Sequence, residues 1–395
     1  MSNRPLPAKG KGQSPSRDEQ GAVLGIVIML MALLFIVGWV LISLSVMQGQ
    51  IASNEVEMIQ ALYVAEGGIH VALNQLNQGI TPSTSGSIGT GQYVVSVTDV
   101  SPPSGTRRID AYGYIPSQAS ARAMKRVSVL VMRPSPFNWG AFGDTKVTLG
   151  GGALTDSFDS GVGAYGPSNV YSNGDVGSNG NIDFSGKTTQ VRGDATAGGT
   201  VQDPNKVTGV STNGAPPVPL SLVDCPAGGY TPAASVPTGT GITYNATTGD
   251  LNISVGANLT LAPGTYYFHN VSMTGGSTLT VAGGGSVVIY CSGQFDLTGG
   301  TVVNPSGFAA NMVVYGCGTN TTDWIVTGGA TAYYAVYAPT HKLTFPGGSA
   351  FYGSVVGKEV VNTVGAFIHY DEALTRIPGL DPYEIVPRSW TELNP

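Results

Sequence analysis

The sequence is poor in charged residues and in good helix formers, and these shortages exclude several classes of protein. Charged residues make up 11% of the 395 residues, against a usual share of about a quarter. The net charge of −6 provides no basic footprint for a nucleic acid, so no nucleic-acid partner is expected. The chain is instead rich in Gly, Asn, Thr, Ser, Val and Tyr, which is typical of a turn-rich β protein.

Cysteine is also scarce. Cys225, Cys291 and Cys317 match no zinc or redox spacing. Two arrangements fit equally. One is a disulfide with one free thiol, in an exported domain, for which Cys291–Cys317 is the candidate pair, and the other is three unpaired core residues. The Gly-rich runs at residues 150–152 and 283–285 are not followed by Lys-Ser/Thr at a helix start, so they are not phosphate loops and no cofactor is expected.

One long apolar run organises the chain. Residues 22–42 carry no charged side chain and would form a helix about 31 Å long, enough to span a bilayer core. Basic residues cluster before this run, and the next one after it is Arg107. The positive-inside rule therefore predicts that residues 1–20 are a disordered cytoplasmic tail and that the remainder is exported. A cleaved secretory signal is the alternative, but the apolar run is longer than such signals need.

The helix is predicted to continue beyond the membrane, so that residues 21–79 form one element. Apolar or small residues recur there at alternating spacings of four and three, which is the seam of a packed helix. The seam consists of Met58, Leu62, Ala65, Ile69, Ala72 and Leu76. Packing against partner helices and packing on the protein's own sheet are equally compatible with this pattern.

Two β regions follow. Residues 80–134 contain a Gly/Ser/Thr linker and three alternating runs at 92–100, 108–115 and 123–132, which predict a small antiparallel meander. Residues 135–380 are Gly-rich, with short β-type runs separated by turns. Residues 381–395 are predicted to be an exposed C-terminal tail.

The Gly-rich region contains a loose repeat. Its Tyr-containing triplets begin at Tyr266, Val288, Val313 and Ala335, which are 22, 25 and 22 residues apart. Such an interval suits the coils of a right-handed parallel β-helix, each of which covers the open edge of its neighbour. A β-sandwich or jelly roll is the alternative. The Pro-rich residues 211–235 interrupt the repeat and are predicted to be an excursion between two stacks of coils.

Four acidic residues are candidate ligands or catalysts. Asp156, Asp159, Asp175 and Asp183 fall in turn-rich sequence, but no calcium-loop motif accompanies them. Turn aspartates that bond their own backbone are the preferred interpretation, and no metal site is expected.

The densest titratable group is His369, Asp371 and Glu372, with His269 and His341 elsewhere. No Ser or Cys nucleophile motif accompanies them. The preferred interpretation is structural: Asp371 caps a short turn and Tyr370 packs inward.

The N-terminal pattern resembles a known family. The EQGAVL motif, the apolar run and the motif ALYVAEGG at residues 61–68 resemble the PilX-type N-terminal segment of type IV pilus assembly proteins and minor pilins. The Gly-rich region resembles an uncharacterised β-domain that often follows such segments. The resemblance implies prepilin processing between Gly21 and Ala22. The sequence differs from that of major pilins in one respect, because Ile26 occupies the position at which major pilins carry Glu.

These features favour a non-enzymatic component of type IV pilus assembly. It would be anchored in the bacterial inner membrane by one pass, with other pilin-like subunits as partners and with a surface or polysaccharide as a candidate ligand. The exported β-domain would serve assembly, adhesion or surface contact. The alternative is a membrane-tethered carbohydrate-active β-helix enzyme, which needs two carboxylates about 5–9.5 Å apart in an open cleft.

Overall fold

The computed structural model describes residues 17–100, 106–283, 285–347, 349–377 and 383–393. It begins with one α-helix, α1, at Arg17–Asn77, which is about 90 Å long at about 1.5 Å per residue. Residues 17–20, predicted to belong to the disordered tail, are helical instead, since a helix tolerates the single Gly21 that separates them from the apolar run. The rest of that predicted tail lies outside the described residues.

A small sheet follows the helix. Its strands are β1 (Ser85–Ile88), β2 (Gly91–Val100), β3 (Thr106–Ile115) and β4 (Ala123–Met132). Each strand pairs antiparallel with the next. Alternate side chains of β2 and β4 are buried, as expected for strands with one face on a core. That core is formed with α1.

The larger body consists of short strands. They are β5 (Ala141–Leu149), β6 (Leu154–Phe158), β7 (Val176–Ser178), β8 (Asn181–Phe184), β9 (Gln190–Val191), β10 (Ala195–Ala197), β11 (Ser211–Thr212), β12 (Ile242–Asn245), β13 (Asp250–Ile253), β14 (Asn258–Leu261), β15 (Gly264–Phe268), β16 (Val271–Met273), β17 (Thr278–Val281), β18 (Val287–Cys291), β19 (Phe295–Asp296), β20 (Thr301–Val303), β21 (Met312–Gly316), β22 (Trp324–Ile325), β23 (Tyr333–Thr344), β24 (Ala350–Asn362) and β25 (Phe367–Asp371). Short 3₁₀ turns lie at Gln118–Ser120, Pro204–Lys206, Ala233–Ser235, Ala309–Asn311 and Glu372–Arg376.

Strands of this body pair in parallel with strands one repeat away. β15, β18, β21 and β23 form one ladder, in which Tyr266, Ile289, Val314 and Val336 share a register position. β14, β17 and β20 form a second parallel ladder. The pairing of β12 with β13 is antiparallel. The repeat in the sequence is therefore a repeat of paired strands. The expectation of a long N-terminal helix followed by mainly β structure is confirmed, and the sheets are mixed.

The order of strands in the body differs from the order along the chain. β24 pairs with β5, and β25 pairs with β6, so the last repeat lies against the first. From there the ladder continues through β7 and β10 to β11. The chain therefore enters the stack at its middle, with β5, and strands β5 to β11, which end at Thr212, form one half. Strands β12 to β25, which begin at Ile242, form the other half and end beside β5 and β6.

The segment between the two halves, residues 213–241, forms a strap on the outside of the stack. Leu220, Val223 and Cys225 of the strap pack against an outward apolar cluster. Val223 makes a parallel bridge with Cys317. The Pro-rich excursion therefore connects the two halves of one continuous stack.

The predicted disulfide Cys291–Cys317 is wrong, because the bond joins Cys225 of the strap to Cys317. Cys291 is opposite Gly316 in the ladder, one residue before Cys317. Successive side chains of a strand point to opposite faces, so Cys291 lies in the interior core while Cys317 lies outside. Burial raises the pKa of the Cys291 thiol to about 12.

The described part of the predicted C-terminal tail is not free. It forms β26 (Glu384–Ile385) and β27 (Thr391–Leu393), which both pair antiparallel with β4. Lys125 and Glu392 form an ion pair across this edge. The described part of the tail is therefore largely exposed, as predicted, but it also extends the small sheet, which was not predicted. Strands this short carry too little alternating pattern to be recognised in a sequence.

Candidate assembly helix and a covered polar column

The first half of α1 exposes apolar side chains around its whole circumference. Phe35 is 74% exposed and Trp39 is 66% exposed. Among the described residues, one helix, Leu24–Asn77, is long and apolar enough to cross a membrane. This half of α1 has the composition of a membrane anchor. Gly21 and Ala22 lie in the same helix, and processing between them stays a prediction.

The seam divides between two environments. Its first residue is exposed, its second is half-buried and its last four are buried: Met58, Leu62, Ala65, Ile69, Ala72 and Leu76. The buried residues pack on the small sheet. From Ala65 onward the seam therefore serves the protein's own core, and only its start at Met58 is open to another helix.

Glycine allows α1 to lie very close to the small sheet. A Cβ added to Gly113 of β3 would lie 2.0 Å from the backbone oxygen of Ala61. A Cβ added to Gly68 of the helix would lie 3.0 Å from the Cβ of Tyr93. Backbone atoms cannot move aside as a flexible side chain can, so the contact at Gly113 requires a residue without a Cβ.

A groove lies where α1 leaves the sheet. It has a volume of about 550 Å³ and is lined by Ile51, Met58, Ile59 and Leu62 of the helix, with Lys125 and Glu392 among its polar residues. Ile51 is 53% exposed and Ile59 is 52% exposed. The groove therefore continues the apolar surface of the anchor onto the flank of the small sheet.

The four candidate aspartates do not converge. Asp159 accepts a hydrogen bond from the N–H of Gly161 at 2.8 Å, and Asp175 accepts one from the N–H of Asp194 at 2.7 Å. Asp183 pairs with Lys146 at 2.6 Å. Within the described parts of the chain, no group of three or more His, Cys, Asp or Glu residues is arranged to hold a metal ion.

Asp156 is the exception, because it belongs to a column of outward-facing residues on four adjacent strands. Tyr333, Tyr352, His369 and Asp156 occupy successive register positions of β23, β24, β25 and β6. We call these four residues the polar column. The ring centroids of Tyr333 and Tyr352 are 4.5 Å apart, and those of Tyr352 and His369 are 4.9 Å apart.

The polar column ends in a buried hydrogen bond. His369 Nδ1 lies 2.5 Å from Asp156 Oδ1. Asp156 is fully buried and His369 is 4% exposed. Arg192 lies at the end of the column, with its guanidinium 3.9 Å from Asp156 Oδ2 and its side chain 44% exposed.

A flap formed by residues 159–173 covers the polar column. The ring centroid of Tyr165 in this flap is 3.9 Å from that of His369 and 5.4 Å from that of Tyr352. The Tyr165 hydroxyl donates to Asp156 Oδ2 at 2.9 Å. Burial, and after it the hydrogen bond to Asp156, raises the pKa of Tyr165.

Polar contacts hold the flap at its base. Asp371 accepts hydrogen bonds from the N–H groups of Ser160 and Ala373. Burial raises the pKa of Asp371, and these hydrogen bonds partly oppose the shift. Arg376 and Asp159 form an ion pair at 2.7 Å. Asp371 thus caps the turn that follows β25 and also anchors the flap.

The remaining candidates lie apart from this column. Glu372 accepts hydrogen bonds from Ser157 at 2.7 Å and from Asn173 at 2.8 Å, which also fixes the flap. His269 lies 3.2 Å from the hydroxyl of Ser292. His341 lies 2.8 Å from the carbonyl of Thr322, and burial lowers its pKa. Tyr370 is 4% exposed and donates to the carbonyl of Phe137.

A second outward column is covered in a different way. Tyr267, Tyr290, Tyr315 and Tyr337 share a register position on β15, β18, β21 and β23. The strap packs over part of this column and is joined to the stack by the Cys225–Cys317 disulfide. The flap over the polar column is held by hydrogen bonds and an ion pair, and the strap is held by a covalent bond.

Two parts of the chain match models of known protein families. Residues 20–70 match the family model described as PilX N-terminal. Residues 220–377, which contain the strap from Leu220 and the repeats β12 to β25, match a domain of unknown function, DUF7305. No curated protein matches the chain.

One similar solved structure is a competence-associated pilin, ComZ from Thermus thermophilus. The similarity covers 85% of this chain and 98% of that chain, with 12% sequence identity and a TM-score of 0.29.

Proposed function

From the premise that residues 20–70 form a PilX-type N-terminal segment, we propose that this protein is a non-enzymatic, minor-pilin-like component of type IV pilus assembly. It is anchored in the inner membrane of a bacterium by α1 and presents its β-body outside the cytoplasm for assembly, adhesion or surface contact. The observation that carries this proposal is the division of α1. Its first half exposes apolar side chains on every side, and its second half is fixed to the protein's own sheet.

The orientation follows from charge and is supported by the disulfide. Arg4, Lys9, Lys11 and Arg17 precede the apolar run, which favours a cytoplasmic N-terminus. The bond between Cys225 and Cys317 is of a kind that persists in oxidising compartments.

For the body we propose the architecture of a right-handed parallel β-helix. The parallel ladders at intervals of 22 to 25 residues support it, as does the continuation of the stack from β24 into β5. Each repeat covers the edge of the previous one, which is how such stacks are stabilised.

The partners we propose are the helices of other pilin-like subunits, packed along the exposed half of α1 and in the groove beside Met58. The test is cysteine cross-linking of the full-length protein in membranes. The native thiols do not interfere, since Cys291 is buried and the other two cysteines are bonded. We expect Ile51→Cys to form cross-links between subunits.

The matched control is Asn74→Cys, because Asn74 is exposed on the same helix beyond the apolar half. It should remain without cross-links. Equal cross-linking at both positions, or none at Ile51, would contradict the proposed assembly role.

We also propose prepilin processing between Gly21 and Ala22. N-terminal sequencing of the mature protein tests it directly. A mature start at Ala22 supports processing, whereas a start at Val46 indicates secretion and an intact tail indicates a plain anchor.

The alternative, a carbohydrate-active enzyme, needs an open pair of carboxylates between aromatic platforms. Asp156 and Asp371 are fully buried, and Asp156 is engaged by His369 and Tyr165. With the flap in place, neither carboxylate is open to a substrate.

A further inference from the structure

The polar column buries two ionisable side chains, Asp156 and His369, and this burial lowers the stability of the fold. Moving an ionisable pair out of water costs free energy that the mutual attraction of the pair rarely exceeds. The second outward column, at another register position of the stack, shows an uncharged alternative, since stacked Tyr side chains fill it. The buried Asp156 and His369 therefore indicate a use other than stability.

The pose of Tyr165 indicates what kind of molecule the column accommodates. A six-membered ring lies against the aromatic rings of His369 and Tyr352 and donates a hydroxyl to Asp156. A pyranose offers the same two features, an apolar C–H face and peripheral hydroxyls. Carboxylates accept hydrogen bonds from hydroxyls and guanidinium groups donate to them, so Asp156 and Arg192 suit a sugar.

Residues 161–168 of the flap are exposed or half-buried, so this part can move away from the column while the contacts of Asp371 and Glu372 at the base remain. Val162 at its surface is 69% exposed, and a Cβ added to Gly163 would meet no atom within 4 Å. Arg376, which holds the base of the flap, has a side chain that is 54% exposed. Exposed ion pairs contribute little stability, so opening the flap costs less than removing the disulfide-bonded strap.

We propose that the polar column and Arg192 form a binding subsite for a neutral glycan, and that Tyr165 occupies this subsite until a sugar ring displaces it. A neutral ligand is favoured because carboxylates outnumber cations around the site. The carboxylates are Asp156, Asp159, Asp371 and Glu372, and the cations are Arg192 and Arg376. The proposal concerns the β-body alone and does not depend on whether α1 assembles with other subunits.

Because Tyr165 competes with the ligand, the apparent affinity is reduced by the fraction of molecules whose flap is open. The experiment measures binding of two neutral probes, cellohexaose and chitohexaose, to the full-length protein by titration calorimetry in a detergent without sugar groups. We expect Tyr165→Ala to lower the dissociation constant for at least one probe by about tenfold or more. Arg376→Gln should lower it by about two- to fivefold, because weakening the base of the flap raises the open fraction.

Two controls separate this site from other surfaces. Tyr171→Ala changes a tyrosine of the same flap that is 40% exposed, and it should leave the affinity unchanged. Adding Tyr352→Ala to Tyr165→Ala should abolish the gain, because it removes the platform on which the sugar ring lies. A gain that survives in the double variant would place the sugar elsewhere and overturn the proposal.

The result is decisive even if Tyr165→Ala fails to fold, because Arg376 is exposed and its substitution leaves the interior untouched. The proposal is wrong if Arg376→Gln binds neither probe more tightly than the wild type. It is also wrong if the opened variants prefer an anionic hexasaccharide, such as hexagalacturonate, to both neutral probes. The cross-linking at Ile51 is unaffected by any of these outcomes, so failure here leaves the assembly proposal standing.

Discussion

Replacing both Cys225 and Cys317 by serine removes the bond between the strap and the stack. The bond joins residues 92 positions apart. In the chain-entropy model a closed loop of this length lowers the entropy of the unfolded chain enough to stabilise the fold by about 4.6 kcal/mol at 25 °C, and measured losses for native disulfides are about 2–5 kcal/mol. We therefore expect the double variant to lose about 2–5 kcal/mol of unfolding free energy.

The measurement is urea-induced unfolding of the full-length protein, followed by tryptophan fluorescence. Trp324 is fully buried in the body, so its emission reports on the stack that the strap crosses. The midpoint should fall and the slope of free energy against urea should rise, because the unfolded chain without the cross-link is less compact and exposes more surface.

Cys291→Ala is the matched control. It removes a cysteine from the interior without touching the bond, so non-reducing peptide mapping should still recover Cys225 joined to Cys317. If this variant loses the disulfide, the assignment of the bond is refuted. If the double serine variant unfolds within about 0.5 kcal/mol of the wild type, the reasoning from loop closure is refuted.

Further predictions concern the contact between helix and sheet, a buried acid and a buried thiol. Gly113→Ala should lower the free energy of unfolding by about 2–3 kcal/mol in thermal denaturation, since its Cβ would overlap the backbone of Ala61. Gly49→Ala, on the open face of α1, should change it by less than about 1 kcal/mol. Asp371→Asn should lower the free energy of unfolding by about 1–3 kcal/mol at pH 4 and by less at pH 7. The pKa of Asp371 is raised by burial, so the wild type loses stability as pH rises above 3.8, where the unfolded chain ionises first. Equal losses of unfolding free energy in Asp371→Asn at pH 4 and pH 7 would contradict this expected pH dependence. The thiol of Cys291, buried and with a pKa of about 12, should resist iodoacetamide at pH 8 until the protein is unfolded.

Patterns among neighbouring residues predict the long helix and the repeated strands, because these elements form from residues close together in the sequence. The uncharged run predicts α1, because a helix needs only continuous apolar and helix-compatible residues. The interval between the triplets that begin at Tyr266 and Val288 predicts strands one repeat apart, and in the ladder Tyr266 is the partner of Ile289, the middle residue of the second triplet.

Features that depend on which surfaces meet could not be predicted in this way. Nothing near β24 in the sequence specifies that its open edge receives β5, since any parallel strand offers the same backbone groups. The predicted cysteine pair was wrong because Cys291, the last residue of β18, faces the interior, whereas Cys317, the residue after β21, faces outward. Burial alternates from one residue to the next, so a difference of one position moves a thiol from the core to the outside.

The sequence identified two residues of the polar column as candidates but not their contact. His369 and Asp156 were both singled out, but in separate clusters, because they are 213 residues apart. Their contact follows from the pairing of β25 with β6, which is itself a result of the unusual order of the repeats. Tyr165 carries no signal in the sequence beyond its position in a Gly-rich turn.

The entry of the chain at the middle of the stack has a mechanical consequence. Residues 133–140 lead into β5, and the chain returns to the small sheet at β26 after leaving β25. Tension on α1 therefore reaches the interior repeats along the chain through residues 133–140 and, in addition, through the hydrogen-bonded pairing of β26 with β4. A load shared in this way must shear several ladders at once, whereas a load on a terminal repeat would peel the strands away one at a time. A protein that is held by one end and pulled by the other would benefit from this arrangement.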